Sequence, residues 1–205
     1  MHGFKSPLVM PRWLLVVSLI SVLGVSAERL CAQEMTLELD PANSRIEFTV
    51  AATLHTVHGT FALKHGTVHF NPSSGAASGL VIVDATSGNS ENSGRDHKMH
   101  AEILESQRYP EITFTPTKMS GRFELQGDSD VQVDGIFRLH GTDHPLTLAL
   151  TVQTKGNGLS ARTHIVIPFV EWGLKNPSTF LLHVGDKVEV DVTGVGQVQE
   201  QGRHP

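Results

Sequence analysis

Cysteine is the scarcest feature of this sequence, and its scarcity limits both stability and chemistry. The chain of 205 residues contains one cysteine, Cys31, so it cannot form an internal disulfide bond. A zinc site built from cysteine ligands is excluded for the same reason. The stability of the folded chain must therefore come from packing.

The common catalytic signatures are also missing. The sequence contains no G-x-S-x-G nucleophile elbow, no H-E-x-x-H zinc motif, no P-loop and no G-x-G-x-x-G dinucleotide motif. Serine, histidine and aspartate are all present, but they do not fall in a recognisable catalytic pattern. The sequence therefore favours a binding protein over an enzyme.

Positive charge is in the minority. The chain has 16 Lys and Arg residues against 21 Asp and Glu residues, for a net charge of −5. Residues 1–32 hold Lys5, Arg12 and Arg29 but only one acid, Glu28, so the remainder is more acidic still. An acidic domain without a cluster of basic residues argues against a nucleic-acid partner. It also argues against docking on anionic membrane surfaces.

Only one long uncharged apolar run occurs, and it lies at the N-terminus. Trp13 to Val25 follows the basic residues Lys5 and Arg12, and small residues come after it. This order is typical of a secretory signal peptide, and the run is shorter than the ~20 residues of a membrane span. We predict that residues 1–32 are a signal peptide, cleaved after Ala27 or Ala32. The processed protein is then exported, with no integral membrane span.

The first prediction concerns this processing. The exported protein should begin at Glu28 or Gln33, because cleavage after Ala27 or after Ala32 both satisfy the small-residue rule. Intact-mass measurement of the exported protein checks the prediction. A mass that still includes Met1 would contradict it.

The remainder of the chain alternates between apolar and polar residues, as half-buried strands do. Clear examples lie at 44–50, 131–139, 146–152 and 188–193. Turn-forming clusters separate the runs, such as 71–75 and 156–158. Many short strands with regular turns indicate a sandwich or a barrel. We predict one all-β domain over residues 33–195, followed by a flexible tail at 196–205 that is rich in Gly and Gln.

One segment departs from this pattern. Ser93 is followed three residues later by Asp96, which matches a helix capping box. Met99, Ile103 and Leu104 then fall at helical spacing before Pro110. The sequence therefore predicts one short helix, from near Gly94 to Ser106.

Histidine is abundant, with 12 residues, and supplies an alternative function. His97 and His100 lie three apart on the predicted helix, a spacing that can bind a metal. No histidine pair comes with a carboxylate and a third ligand in an obvious register, so we predict no metal site. A histidine-dependent metal-binding protein or enzyme stays open as an alternative.

Six short motifs in order resemble the YceI-like family of polyisoprenoid-binding proteins. They begin with Asp40-Pro41 and Ser44 to Phe48, and they end with Val184-Gly185-Asp186 before the last strand. Between them lie Val57 to Phe61, the long block from Arg95 to Phe114, Leu139 to Leu146, and Glu171-Trp172-Gly173. The family-motif residues to which we assign structural roles are Gly59, Arg95, Asp96, Tyr109, Pro110, His140, Gly141, Gly173, Gly185 and Asp186.

The resemblance implies a fold, a function and a periplasmic location. The fold is a lipocalin-like, eight-stranded antiparallel β-barrel with one helix at an end. The function is non-catalytic binding of a long apolar lipid in the barrel interior, with no cofactor other than a bound isoprenoid lipid or isoprenoid quinone. A filled barrel that serves as a stress or interaction protein is a further alternative, and the oligomeric state is not predicted.

Strand alternation and the motifs together supply candidates for the interior wall. We expect the following residues to face the lumen: Phe48, Val50, Phe61, Ile82, Phe114, Phe137, Leu139, Leu148, Leu150, Ile165, Phe169 and Trp172.

Overall fold

A computed structural model describes residues 2–3, 34–53 and 55–200 of the chain. Residues 1–31 and 32–205 separate into two units, and the fold below is that of the second. The predicted signal peptide and both of its cleavage sites lie outside the described residues. Within those residues, no helix is long and apolar enough to cross a membrane.

Most of the described residues of the second unit lie in β-strands. The strands are β1 (Met35–Leu39), β2 (Arg45–Ala51), β3 (Thr56–Phe70), β4 (Ala77–Asn89), β5 (Glu111–Gly121), β6 (Gly127–Leu139), β7 (Thr142–Lys155), β8 (Gly158–Ile167) and β9 (Val188–Glu200). A single helical segment lies between β4 and β5, with α1 at Ser93–Lys98 and a π-helical turn at Met99–Ile103. All strand pairs are antiparallel.

The sheet closes into a barrel. The strands follow the order β2-β9-β8-β7-β6-β5-β4-β3, and β3 returns to β2. The short strand β1 pairs with the C-terminal ends of β3 and β9. Strand β2 lies between the same two strands and pairs with their N-terminal parts. Thus β1 and β2 are two halves of one interrupted barrel strand, and the barrel is eight-stranded as predicted.

One end of the barrel, here called the floor, is filled by side chains. Buried residues from seven strands pack together there: Met35, Phe70, Met119, Val131, Val133, Val152, Leu159 and Val198. Their inward direction follows from alternation, since Val131 lies opposite Leu150 and Val133 lies opposite Leu148 across β6 and β7. The helical segment and the long connection 168–187 lie at the other end, here called the mouth.

The wall of the barrel is incomplete between β7 and β8. These strands pair only at the floor end, where Thr151–Lys155 lie opposite Gly158–Arg162. Towards the mouth, the first half of β7 pairs only with β6 among the described residues, and Pro145 lies in that half. Proline has no backbone N–H and is tolerated in a strand mainly at an edge. The sequence therefore suits a strand that has one free side.

The predicted flexible tail is wrong for residues 196–200. Strand β9 continues to Glu200 and pairs with β1, where Gly196 lies opposite Leu39 and Val198 lies opposite Leu37. Val198 is buried in the floor, and a Cβ on Gly196 would lie 2.2 Å from the carbonyl oxygen of Glu38. Burial of Val198 and close strand contact at Gly196 therefore hold this segment in the sheet. Residues 201–205 lie outside the described residues.

The helical segment lies close to its predicted position, but its cap differs. The N-cap is Asn92 and not Ser93, since the Asn92 side chain accepts a hydrogen bond from the backbone N–H of Arg95. At the other end, the N–H of Leu104 donates to the carbonyl of Met99 at 2.8 Å, which is the π-helical spacing. The wider turn ends the helical segment at Ile103.

Candidate functional site

The barrel encloses an apolar cavity of about 630 Å³. Its floor is the buried cluster described above, and its walls are the inward-facing residues of the strands. A volume of this size lies within the range of roughly 300–1,000 Å³ typical of small-molecule sites. The prediction left open whether the barrel is filled or hollow, and it is hollow above the floor.

Ten of the twelve predicted lumen residues line the cavity. They are Phe48, Val50, Phe61, Phe114, Phe137, Leu139, Leu148, Leu150, Ile165 and Phe169. Phe48 and Phe61 also contact each other, with ring centroids 5.3 Å apart. Strand alternation therefore selected the interior wall correctly wherever polar residues interrupt the apolar ones.

The other two predicted lumen residues lie elsewhere. Ile82 is on the opposite face of β4, since its neighbours Val81 and Val83 line the cavity. Trp172 packs behind the wall, with its ring stacked on His144 at 3.9 Å and tilted against Phe137 at 5.9 Å. Trp172 therefore supports Phe137 from the connection 168–187 without reaching the cavity.

A few polar side chains reach the cavity near its mouth. Arg95 and Lys98 of α1 are among the lining residues, as is His55. Arg95 was predicted to have only a structural role, and Lys98 and His55 were not among the predicted site residues. The sequence does contain a signal that places Lys98 beside Arg95, because the two are three apart and residues three apart on a helix share a face. Met99, next to Lys98, also lines the cavity.

Arg95 is fixed by the residue that begins the turn into α1. Its Nε donates to the Ser90 hydroxyl at 2.7 Å, and its Nη2 donates to the Ser90 carbonyl at 2.6 Å. Asp96 accepts from the Ser90 backbone N–H at 2.9 Å and from the Ser90 hydroxyl. Burial opposes ionisation of Asp96, but hydrogen bonds from Ser90 outweigh it and lower the pKa of this carboxyl. Arg95 and Asp96 together hold α1 over the end of β4.

The helical segment is also tied to the connection 168–187. Lys98 Nζ donates to the carbonyl of Pro177 at 3.2 Å, and Lys175 Nζ donates to Glu102 at 2.8 Å. The hydrogen bond and the positive charge of Lys175 lower the pKa of Glu102. These contacts join the two segments that border the mouth.

Two motifs far apart in sequence meet at the mouth end. The Tyr109 ring lies 4.4 Å from the His140 ring. A Cβ on Gly141 would lie 2.6 Å from Tyr109 Cε1, and Gly141 has a φ of +76°. Only glycine satisfies both requirements. His140 Nε2 lies 3.2 Å from Glu105 Oε1.

The remaining motif residues also hold backbone segments together. A Cβ on Gly59 would lie 2.3 Å from the Phe48 ring, so glycine leaves room for a lumen side chain. The Pro110 carbonyl accepts from Ala85 N–H at 3.0 Å, the Gly185 N–H donates to Ala51 at 2.8 Å, and the Asp186 carbonyl accepts from Val170 N–H at 3.4 Å. Gly173 turns the chain at a φ of +91°.

The histidines are dispersed. In residues 2–3, 34–53 and 55–200, no group of three or more His, Cys, Asp and Glu side chains could hold a metal ion. His100, one of the predicted helix pair, has both ring nitrogens occupied, by Ser106 Oγ at 3.0 Å and the Gly88 carbonyl at 2.8 Å. These two contacts of His100 join the helical segment to β4 and to the residues that follow the helix.

Curated proteins match part of this chain. A UPF0312 protein of Vibrio parahaemolyticus is 28% identical over 129 residues, which cover 62% of this chain and 66% of that protein. Protein YceI of Escherichia coli is 31% identical over 103 residues, which cover 49% of this chain and 51% of that protein. The matches thus span about half to two thirds of each relative's own length.

Solved structures share the fold at low identity. BcnA of Burkholderia cenocepacia aligns with a TM-score of 0.63 at 17% identity, over 77% of this chain and 98% of that one. A polyisoprenoid binding domain from Saccharophagus degradans aligns with a TM-score of 0.58 at 17% identity, over 80% and 98% of the two chains. A family model, the YceI-like domain, matches residues 37–195. This match covers the barrel except for the start of β1 and the end of β9. The chain therefore belongs to the YceI-like domain family.

Proposed function

We propose that the protein is a non-catalytic carrier for a polyisoprenoid or a similar long apolar lipid, held inside the barrel. The observation that carries the proposal is the cavity of about 630 Å³, with walls made almost wholly of aliphatic and phenyl side chains. Such walls gain free energy by removing apolar ligand surface from water. We further propose that the protein works in the periplasm, after the export predicted above.

The geometry supports binding by shape and desolvation. The aromatic residues Phe48, Phe61, Phe114 and Phe137 stand around the cavity, and among the described lining residues none is an Asp or Glu. An elongated apolar chain can therefore contact the wall over its whole length without burying a carboxylate. The Saccharophagus degradans domain, a polyisoprenoid binding domain of the same fold, supports an isoprenoid as the ligand class.

The polar residues of the wall lie where a head group would rest. Arg95 and Lys98 belong to α1 at the mouth, so the chain end of a ligand points to the floor and the polar end to the helical segment. An isoprenoid quinone or an isoprenoid with another small head group fits this orientation. The head group then stays next to water at the mouth.

Organic extraction tests the proposal. The protein is purified without detergent from a host that exports it, extracted, and analysed by mass spectrometry. We expect an isoprenoid lipid or isoprenoid quinone in the extract, in proportion to the protein. An extract without apolar lipid, combined with no binding of added isoprenoids, would contradict the proposal and support a role as a stress or interaction protein. A tightly bound metal needed for binding would support the histidine-dependent alternative.

Affinity should depend on ligand chain length and then level off. At roughly 30 Å³ for a water-sized group, the cavity holds about 20 chain atoms. At about 0.3 kcal/mol per heavy atom, each five-carbon unit adds about 1.5 kcal/mol, or roughly tenfold in Kd. We expect this gain up to about twenty carbons and little beyond. Calorimetric titration of isoprenoids with one fixed head group measures it, and equal Kd values at ten and twenty carbons would contradict it.

A further inference from the structure

Two large apolar side chains project into solvent beside the mouth. Phe180 is 102% exposed and its neighbour Leu181 is 85% exposed. Their flanking residues Thr179 and Leu182 line the cavity. The exposed pair is therefore continuous with the entrance of the proposed ligand site. Adjacent exposed apolar residues of this size mark an interaction site more often than isolated ones do.

The turn that carries the pair, residues 179–182 and here called the rim turn, is held in place. The N–H of Thr179 donates to the carbonyl of Leu182 at 2.8 Å, and the N–H of Leu182 donates to the Thr179 hydroxyl at 3.2 Å. Below the turn, Val184 N–H donates to Ser178 Oγ at 2.8 Å. On its far side His183 exchanges hydrogen bonds with Thr53. The fold thus keeps Phe180 and Leu181 out of the apolar interior that lies next to them.

We infer that the rim turn inserts Phe180 and Leu181 into a lipid bilayer and so places the mouth of the cavity against the membrane. The inference rests on the proposed function, because a ligand that is an apolar lipid resides in a bilayer when it is not bound. A mouth pressed against the bilayer lets such a ligand pass into the cavity with little exposure to water.

The size and charge of the surface favour a neutral lipid surface over a protein. A specific protein interface buries at least about 600 Å² on each partner, whereas two such side chains offer roughly 400 Å². A protruding turn of two residues instead suits a soft bilayer, where phenylalanine and leucine anchor interfacial segments. The net charge of −5 gives no general attraction to anionic lipid, so the apolar pair is the anchor.

Vesicle flotation tests the inference. The protein is recovered from the exporting host and its mass is measured. It is then mixed with vesicles of phosphatidylcholine and floated in a density gradient. The wild type is compared with Phe180→Ser/Leu181→Ser and with Leu125→Ser. Leu125 is an exposed leucine, 42% accessible, in the turn at the floor end. We expect the double variant to lose roughly tenfold or more in vesicle affinity, because two apolar side chains would no longer move from water into the bilayer. Leu125→Ser should match the wild type.

A second measurement separates this inference from the proposed function. The same three proteins are titrated with a ten-carbon isoprenoid in solution, without vesicles. We expect equal affinity for the ten-carbon isoprenoid in all three proteins. When a twenty-carbon isoprenoid is instead supplied in vesicles, we expect slower uptake by the double variant alone. A wild type that binds the isoprenoid but does not float, or a double variant that floats like the wild type, would overturn the inference. Loss of solution binding in the double variant would also overturn it, since the turn would then be part of the ligand site.

Discussion

Leu148→Asp is expected to lower the affinity for an isoprenoid by about 100-fold or more while the barrel stays folded. Leu148 lines the cavity from β7 and is half-buried. Water in the open cavity can therefore hydrate a carboxylate at this position. A bound apolar chain would remove that water, and desolvating an unpaired charge costs several kcal/mol. A loss of about 2.7 kcal/mol already corresponds to 100-fold in Kd.

The matched control is the next residue of the same strand. Ala149 is exposed on the outer face of β7, so Ala149→Asp adds the same charge without touching the cavity. At about 0.15 M salt, distant exposed charges are largely screened, and we expect wild-type affinity. Titration with a fifteen-carbon isoprenoid measures both variants, and circular dichroism verifies that they are folded. Equal Kd values for the two variants would mean that the ligand does not lie against this wall.

The interior wall was predictable where polar residues mark the outer face. In β7, Thr147 and Ala149 separate Leu148 from Leu146 and Leu150, and Thr151 follows Leu150, so the direction of each leucine follows from the pattern. In β4 the run Leu80-Val81-Ile82-Val83 has no polar residue to set the alternation. Ile82 was assigned to the wrong face for that reason.

The predicted tail contains a short strand-like alternation that its amino-acid composition does not indicate. Residues 196–205 are rich in Gly and Gln, which favoured a flexible segment. Yet Gln197, Val198 and Gln199 alternate, and Val198 is the buried member. A short alternation of small and polar residues was sufficient, because β1 supplies the partner strand.

Contacts between distant segments could not be predicted from one sequence. Tyr109 meets His140 and Gly141 only because the connection after the helical segment crosses the turn between β6 and β7. Trp172 is an aromatic residue in a family motif, but its place behind Phe137 depends on the path of the connection 168–187. The cavity volume depends on how far the strands stand apart, which alternation does not specify.

The floor of the barrel should respond to the same substitution in a different way. Val152 lies on the same face of β7 as Leu148, four residues nearer the floor, and only 4% of it is exposed. It lies at the bottom of the cavity, but it packs in the cluster with Met35, Val131 and Leu159, which leaves almost no room for water around a carboxylate. Val152→Asp therefore buries a carboxylate without a partner in the folded state itself.

We expect Val152→Asp to cost about 4 kcal/mol or more of the free energy of unfolding. Domains of this kind have about 5–15 kcal/mol in total, so the variant should be largely unfolded or should unfold at much lower urea. Lys155→Asp, on the exposed last residue of β7, should stay within about 0.5 kcal/mol of wild type. Urea denaturation followed by circular dichroism compares the two midpoints. If Val152→Asp unfolds at the wild-type midpoint, the floor admits enough water to hydrate a carboxylate at this position, and the close packing described for the cluster is wrong.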